Sequence, residues 1–236
     1  MHGLEASLDE ARALAAAVDA HPPATRVAIC PPATLIHRLN DVLAGSSILV
    51  GAQDCHSEVS GAFTGDISAE MLVDAGARLV ILGHSERRAD HGETDDLVAA
   101  KGRAALRAGL EPIICVGESL DDRRAGRAIA VVTAQLRGSL ARELAGHAFA
   151  VAYEPVWAIG SGLTPSLVEI EEVHGAIRDL LVDMFGAGGG DVPILYGGSV
   201  KPANAGEILG VRHLDGALVG GASLQAAEFV GILRAI

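Results

Sequence analysis

Short, continuously apolar runs recur along the chain, separated by stretches rich in Ala and Leu, and this alternation is the strongest constraint on the fold. Apolar residues at successive positions are typical of strands buried on both faces, as in a parallel sheet covered by helices. The predicted strands are residues 26–30, 48–53, 79–83, 111–116, 149–154, 192–196 and 216–220. The predicted helices are residues 4–20, 33–43, 68–75, 95–108, 120–144, 166–185, 202–209 and 224–234.

This count of elements favours a barrel. Strict alternation of strands and helices is typical of a closed (β/α)₈ barrel or of an open doubly wound sheet. Open sheets of the flavodoxin type have about five strands, so seven strands favour the barrel. Because the chain begins with a helix, we predict an α/β fold, a (β/α)₈ barrel that lacks strand 1. No linker or low-complexity segment interrupts residues 1–236, so we predict a single domain.

The composition excludes several classes of partner. The formal net charge is −12 and the only lysines are Lys101 and Lys201, which argues against nucleic acid or an anionic membrane surface. Neither a signal-peptide core nor a run of about 18 apolar residues occurs, so we expect a cytoplasmic protein that does not span a membrane. Cys30, Cys55 and Cys115 lie far apart and are predicted to be reduced thiols rather than a disulfide or metal site.

Glu154 ends the predicted strand 149–154 and is followed by a loop that contains Trp157, Gly160 and Gly162. A carboxylate at the carboxyl end of a strand, beneath a loop that can fold over it, is the arrangement needed for proton abstraction under a lid. A glutamate that merely caps a strand explains the same pattern, so the sequence leaves both interpretations open.

His84 follows the predicted strand 79–83 and precedes Ser85 and Glu86, which can open a helical turn. The partial positive charge at the start of a helix disfavours imidazolium and would keep the ring neutral. A neutral imidazole can donate a hydrogen bond to a carbonyl oxygen and pass a proton between neighbouring oxygens. A purely structural histidine at a strand end is the alternative.

Glycines near the end of the chain offer main-chain N–H groups to an anion. Ser199 follows a Gly-Gly pair after the sixth predicted strand, and Gly220 and Gly221 follow the seventh. Phosphate sites of barrels commonly use the loops after the last two strands. With Gly160 in the lid, these residues predict an anion site made of main chain, although a single Gly-Gly pair is equally typical of a packing turn.

Two further segments are interpreted as structural. Glu118 lies at a strand end and is expected to pair with an arginine such as Arg123 or Arg127. Residues 51–66 form a long connection with an apolar tip, which favours a subunit contact over a substrate contact.

Five segments together resemble the triosephosphate isomerase family, in order and over essentially the whole chain. They are G-A-F-T-G-D at 61–66, G-H-S-E-R-R at 83–88, Y-E-P-V-W-A-I-G-S-G at 153–162, Y-G-G-S-V at 196–200 and D-G-A-L-V-G-G-A-S at 215–223. The resemblance implies a TIM barrel that interconverts dihydroxyacetone phosphate and D-glyceraldehyde 3-phosphate, as in glycolysis and gluconeogenesis, with no metal or organic cofactor. It also implies a homodimer formed through the loop around Thr64.

The resemblance implies roles for individual residues. Glu154 would be the base that removes a proton beside the carbonyl, His84 the neutral electrophile, and Glu86 a supporting residue behind it. The residues implied to bind the substrate phosphate are Gly160, Ser199, Gly220 and Gly221.

The chain departs from the family pattern in two places. Ser161 stands where threonine is common, a mild change. Family members begin with a strand that ends in a pattern like Asn-x-Lys-Met-Asn-Gly, and residues 1–3 match only its tail. We therefore expect the first strand, with its Asn and Lys, to be missing here, and translation of the natural protein to start upstream of Met1.

That departure leads to an expectation about activity. A cation aimed at developing negative charge contributes about 10²–10³-fold in rate, and neither Lys101 nor Lys201 is placed to replace it. A missing strand also leaves two unpaired sheet edges. We expect this form to be poorly active and fragile.

Two alternative functions stay open at this point. One is an isomerase acting on a related four-carbon sugar phosphate, which only the depth of the pocket distinguishes. The other is a non-catalytic phosphate-binding barrel, against which the retention of Glu154, His84 and the lid argues.

Overall fold

Seven parallel strands form one sheet in the computed structural model, which describes residues 1–159 and 163–235. The strands are β1 (Ala28–Ile29), β2 (Leu49–Ala52), β3 (Leu79–Leu82), β4 (Glu111–Val116), β5 (Ala150–Tyr153), β6 (Ile194–Tyr196) and β7 (Gly216–Ala217). The α-helices are α1 (Ser7–Ala20), α2 (Ile36–Val42), α3 (Ala69–Asp74), α4 (Ser85–Asp90), α5 (Asp95–Ala108), α6 (Leu120–Arg124), α7 (Ala128–Ser139), α8 (Leu167–Phe185), α9 (Ala205–Leu209) and α10 (Ala226–Leu233).

The strand order confirms the barrel architecture. Each strand pairs in parallel with the next one along the chain, from β1 to β7. A doubly wound sheet would reverse direction at a switch point, and this order contains no reversal across the described strands. The chain therefore forms the predicted α/β barrel of seven strands.

The predicted burial on both faces is confirmed in the middle of the sheet. Alternate residues of β3 to β5 lie on opposite faces, and both sets are buried. Leu79, Ile81 and Ile113 belong to a small cluster inside the curved sheet, whereas Val80 and Leu82 belong to the large cluster beneath the helices. Continuous apolar runs arise because each strand contributes to two cores.

The outermost strands are different. In the described part of the chain β1 and β7 each pair with one neighbour only, so they are the edges of the sheet. Their residues are partly buried, and each strand is two residues long. The sequence predicted five residues for each of these strands. A strand extends only as far as its backbone hydrogen bonds to a neighbour, and an edge strand has one neighbour to form them with.

The segment predicted as one helix over residues 120–144 is two helices and a 3₁₀ turn. Between α6 and α7 lies Gly126, whose φ of 69° is left-handed and ends a helix. A further 3₁₀ turn spans Arg142–Leu144. The single-helix prediction was wrong because Gly126, in a charged stretch between Arg124 and Arg127, adopts a left-handed conformation that ends α6.

The three cysteines are free thiols, as predicted. Burial raises the pKa of Cys30 to about 12 and is also the largest cause of the raised pKa of Cys55, about 12. The thiolate is therefore scarce at neutral pH. Among the helices that the structure describes, none combines the length and apolarity needed to cross a membrane.

Candidate active site

Glu154 lies directly beyond the end of β5, where its main chain continues the sheet. Its N–H donates to the Val116 carbonyl oxygen of β4, with an N···O distance of 2.8 Å. The side chain is only 2% exposed, and each carboxylate oxygen has a partner. Oε1 lies 2.9 Å from His84 Nε2, and Oε2 accepts a hydrogen bond from Ser85 N at 3.0 Å. The structure thus brings together the two residues that the sequence analysis selected as catalytic.

His84 caps the amino end of α4, as the sequence analysis expected of a histidine before a helical turn. Its Nδ1 accepts a hydrogen bond from the Glu86 N–H, with an N···N distance of 3.3 Å. This contact requires a lone pair on Nδ1, so the ring proton belongs on Nε2. Nε2–H then donates to the Glu154 carboxylate.

Two effects act in opposite directions on the protonation of His84. Burial lowers the pKa, but the hydrogen bond and charge of Glu154, aided by the charge of Glu86, outweigh it, and the pKa is raised. This raised pKa runs against the expectation that the helix start keeps the ring neutral, although protonation of Nδ1 would break the Glu86 N–H contact. A ligand that separates the ring from Glu154 would remove the largest contribution favouring imidazolium.

Two glycines make room for the Glu154 carboxylate. A Cβ at Gly197 would lie 2.8 Å from Glu154 Cγ, and a Cβ at Gly117 would overlap the Glu154 carbonyl oxygen. Close approach of two backbones is a standard reason for glycine in a strand or just beyond it. The sequence analysis did not select Gly117, although its place at the end of a predicted strand was the available signal.

Cys115 is a second neighbour of Glu154 that the sequence analysis did not assign to the site. It is fully buried in β4 and pairs with Ala152 of β5. Burial raises the pKa of the Cys115 thiol well above its usual value, and the negative charge of Glu154 raises it further. The thiol therefore stays protonated beside the carboxylate.

Glu118 has the structural role that was predicted for it. Its buried Oε1 accepts hydrogen bonds from Arg123 Nε at 2.9 Å, Trp157 Nε1 at 2.9 Å and the Tyr153 hydroxyl at 3.1 Å. Arg123 is the predicted partner, whereas Arg127 pairs with Asp122 instead. Because Trp157 lies in the 3₁₀ turn Val156–Ala158, Glu118 fixes the start of the loop after Glu154 to the end of β4.

The predicted phosphate-binding residues follow β6 and β7. Gly220 and Gly221 are exposed, and among the described residues no heavy atom lies within 4 Å of a Cβ built on either. The 3₁₀ turn Gly221–Ser223 follows β7, and Ser199 lies in the loop after β6. Gly160 lies outside the described residues.

The last helix begins later than predicted, which affects the anion site. The sequence predicted its start at residue 224, directly after the glycines, whereas α10 begins at Ala226. Glu10 of α1 accepts a hydrogen bond from the Ala226 N–H, with an N···O distance of 2.7 Å. A carboxylate therefore already binds this helix terminus. In the preceding 3₁₀ turn the Ser223 N–H donates to the Gly220 carbonyl oxygen, which leaves the amides of Gly220 and Gly221 as the candidates for an anion.

Lys101 is committed to an ion-pair cluster. Its ammonium lies 2.7 Å from Asp54 Oδ1 and 2.5 Å from Glu93 Oε1, and Arg87 also contacts both carboxylates. The side chain of Lys101 is buried. These contacts agree with the expectation that Lys101 does not act on a substrate.

Comparisons with known proteins agree on one family. A family model described as triosephosphate isomerase matches residues 1–236. The triosephosphate isomerase of Caulobacter vibrioides is 60% identical over 236 residues, which is all of this chain and 93% of the relative, and that of Rhodopseudomonas palustris is 56% identical over 234 residues, covering 98% and 92%. The crystal structure of triosephosphate isomerase from Bartonella henselae superposes with a TM-score of 0.93 at 46% identity, covering 100% of this chain and 94% of that one.

Proposed function

The chain belongs to the triosephosphate isomerase family, and from this premise we propose that Glu154 and His84 carry out the interconversion of dihydroxyacetone phosphate and D-glyceraldehyde 3-phosphate. The observation that carries this assignment is the contact of 2.9 Å between the buried Glu154 carboxylate and the His84 imidazole at the carboxyl ends of β5 and β3. Barrel enzymes place catalysis at this end of the strands.

Glu154 begins the reaction as a general base. Its carboxylate takes a proton from the carbon next to the substrate carbonyl. The electron pair of that C–H bond forms a carbon–carbon double bond, and the carbonyl π pair moves onto oxygen to give an enediolate. Since the Ser85 N–H holds Oε2, Oε1 is the oxygen free to turn from His84 to the substrate carbon.

His84 acts on the substrate oxygens. With Nδ1 occupied by the Glu86 N–H, the ring presents Nε2–H to the carbonyl oxygen and stabilises the negative charge that develops there. Nε2 then passes a proton between the two neighbouring oxygens, and Glu154 returns its proton to the adjacent carbon. These steps conserve atoms and electrons, so they close without a further reactant.

The phosphate group is held by main chain in this proposal. The N–H groups of Gly220 and Gly221, with Ser199 and Gly160, form the phosphate site. The open space around Gly220 and Gly221 supports this placement, because a phosphate can approach amides that carry no side chain. Dipolar amides also suit a protein of net charge −12, which offers few lysines to an anion.

The alternatives left open by the sequence are not favoured. The relatives are named triosephosphate isomerases at 56–60% identity, and the proposed base Glu154 lies in contact with His84. Both observations favour catalysis on a three-carbon phosphate over a four-carbon isomerase or a binding protein without activity.

The decisive experiment removes the base while keeping its shape. We expect Glu154→Gln to lower kcat by about 10³-fold or more, with a much smaller change in KM, because the amide cannot accept the carbon proton. A coupled assay for both triose phosphates measures the rate, and binding of glycerol 3-phosphate shows that the variant is folded. A Glu154→Gln variant as fast as its parent would exclude Glu154 as the base.

We also propose that one domain, residues 1–236, works as a cytoplasmic homodimer that binds no nucleic acid. The loop between β2 and α3 supports the dimer, since it exposes Val59 by 49% and Phe63 by 42% beside Thr64. A Phe63→Glu variant should be monomeric by light scattering at micromolar concentration. An unchanged dimer would place the interface elsewhere.

A further inference from the structure

The helix that carries His84 has no hydrophobic anchor. All six residues of α4 are described, and none of them is buried. Ala89, its one apolar residue, is exposed. Helices in proteins gain most of their stability from packing of an apolar face, and so short a helix has little of its own. Polar contacts must therefore fix α4 against the barrel.

Arg88 supplies the widest set of these contacts. Its Nε donates to the Gly83 carbonyl oxygen at 2.8 Å, and its Nη1 lies 2.6 Å from Asp95 Oδ1. Its Nη2 donates to the Cys115 carbonyl oxygen at 3.1 Å and to Ser139 Oγ at 2.9 Å. The partners belong to the ends of β3 and β4, the start of α5 and the end of α7. One guanidinium thus joins α4 to four elements.

The carbonyl that Arg88 binds on β4 is next to the one that positions Glu154. Val116, the residue after Cys115, accepts the main-chain hydrogen bond of Glu154. At the other end, Arg88 N donates to the His84 carbonyl oxygen at 3.0 Å, one helical turn back. The guanidinium therefore binds the carbonyl oxygen of Gly83, the residue before His84, and the carbonyl oxygen of Cys115, the residue before the support of Glu154.

From this placement we propose that Arg88 is a positioning residue, whose guanidinium fixes the His84 ring on α4 relative to the Glu154 carboxylate. The proposal rests on the proposed catalytic roles of His84 and Glu154. Gly83 fits it, because a Cβ there would lie 3.0 Å from Arg88 Nη2 and 2.8 Å from Val98 Cγ2. A lysine would keep the charge, but its single ammonium cannot reach the separate partners that Nε, Nη1 and Nη2 of Arg88 contact.

Arg178 offers a matched control. Its side chain is 12% exposed, against 15% for Arg88, and it also binds main-chain carbonyls and one carboxylate. These are the carbonyl oxygens of Gly189 and Val192 and the side chain of Asp215. They lie at the amino ends of β6 and β7, the opposite side of the barrel from the proposed site.

The test compares Arg88→Met, Arg88→Lys and Arg178→Met with the parent. We expect Arg88→Met to lower kcat about 10- to 100-fold with KM within about threefold, as for a reacting group displaced by about an ångström. In the NMR titration of the His84 ring, the midpoint should fall, since Glu154 and Glu86 are the charges that raise it. Arg88→Lys should recover only part of kcat.

For Arg178→Met we expect a loss of Tm at least as large as the loss in Arg88→Met. Its kcat should stay within about twofold of the parent, and the midpoint of the His84 titration should not change. Equal kcat in the two Met variants at matched folded fraction, with an unchanged His84 titration, would overturn the proposal. If the parent itself shows no isomerisation, the proposed function fails, and the His84 titration still decides the role of Arg88.

Milder variants keep the test decisive if Arg88→Met does not fold. Asp95→Asn and Ser139→Ala each weaken one partner of the guanidinium. They should reproduce the same pattern at about two- to tenfold in kcat, with the midpoint of the His84 titration again lowered. If neither variant changes kcat or the titration, the proposal is wrong.

Discussion

The strands in the middle of the sheet are hydrogen-bonded to a neighbour on each side, whereas, among the described residues, the two edge strands have a neighbour on one side only. Strands β3 to β5 are paired on both sides, buried on both faces, and carry His84 and Glu154 at their ends. Strands β1 and β7 are short and paired on one side, and the proposed phosphate site follows β7. The groups proposed to move protons are therefore held more firmly than the groups proposed to hold the substrate.

The largest expected effect comes from giving the edges a partner. A chain extended before residue 1 by an apolar strand that ends in Asn-x-Lys should pair with β1 and β7 and supply a cation. We expect a higher Tm and an isomerase rate increased by about 10²–10³-fold. Differential scanning calorimetry and the coupled assay measure the two effects.

The control for that experiment is an extension of the same length made of Gly and Ser. Equal Tm and equal rates for the two extensions would show that an added strand does not stabilise the edges. The inference that the edges are held less firmly than the middle would then be wrong.

A single added methyl group should disturb the end of β5 in the middle of the sheet. A methyl group in Gly117→Ala would overlap the Glu154 carbonyl oxygen, so the end of β5 must shift. We expect kcat to fall about 10- to 100-fold, because the carboxylate moves relative to the substrate carbon. The matched control is Gly102→Ala in α5, where a Cβ would lie 3.8 Å from Ile114 Cδ1 and meets ordinary contact. Unchanged kcat in Gly117→Ala would contradict the rigid placement of Glu154.

His174 of α8 is a buried group whose titration should make the stability of the fold sensitive to acid. Burial lowers its pKa to about 4, although the hydrogen bond from Nδ1–H to the His213 carbonyl oxygen, with an N···O distance of 3.2 Å, acts the other way. The unfolded state binds the proton more readily, so stability is full above about pH 6.5 and falls as the pH drops towards 4. We expect a loss of about 2 kcal/mol in the free energy of unfolding between pH 7 and pH 5.

Urea titrations at the two pH values test this expectation, with His174→Phe as the comparison. That variant removes the titrating group while keeping a ring beside Tyr153 and Tyr196. If parent and variant lose the same free energy on acidification, carboxylates elsewhere are responsible and His174 is not.

The smallest effect is expected at the start of the lid. Trp157→Phe removes the indole N–H that bonds Glu118, while Arg123 and Tyr153 continue to bond the same oxygen. We expect a two- to tenfold change in kcat/KM with little change in Tm, since one of several hydrogen bonds is worth about 1 kcal/mol. A loss of more than about 100-fold would mean that the lid depends on Glu118 far more than its shared contacts indicate.

The middle of the fold could be predicted from the sequence because its causes are local. The apolar runs around Ile113 and Val151 fill two cores at once, which leaves a continuous pattern, and Glu154 and His84 follow such runs directly. The extent of β1 and β7 could not be predicted, because pairing with a neighbour sets the length of an edge strand. Their place in glycine-rich loops after the last two predicted strands, rather than periodicity, indicated Ser199 and Gly220, and the family resemblance added the substrate phosphate as their ligand.

The support of the site left little trace in the sequence. The contacts of Arg88 reach residues 5 to 51 positions away, and two of them are main-chain carbonyls that any residue could supply. The hydrophobic periodicity of the sequence does not predict hydrogen bonds of this kind. Gly117 had a visible position at a strand end, yet its reason, the passage of another backbone, is a tertiary fact.

The buried thiols have a practical consequence for experiments on the lid. With a pKa of about 12, Cys30 and Cys55 are thiolates in about one molecule in 10⁵ at neutral pH, and burial also raises the pKa of Cys115 well above its usual value. A maleimide dye or spin label should therefore not react with any of the three native thiols. A label on a single new cysteine at the exposed position of Leu163 would then test whether the predicted lid moves, with no need to replace the native cysteines first.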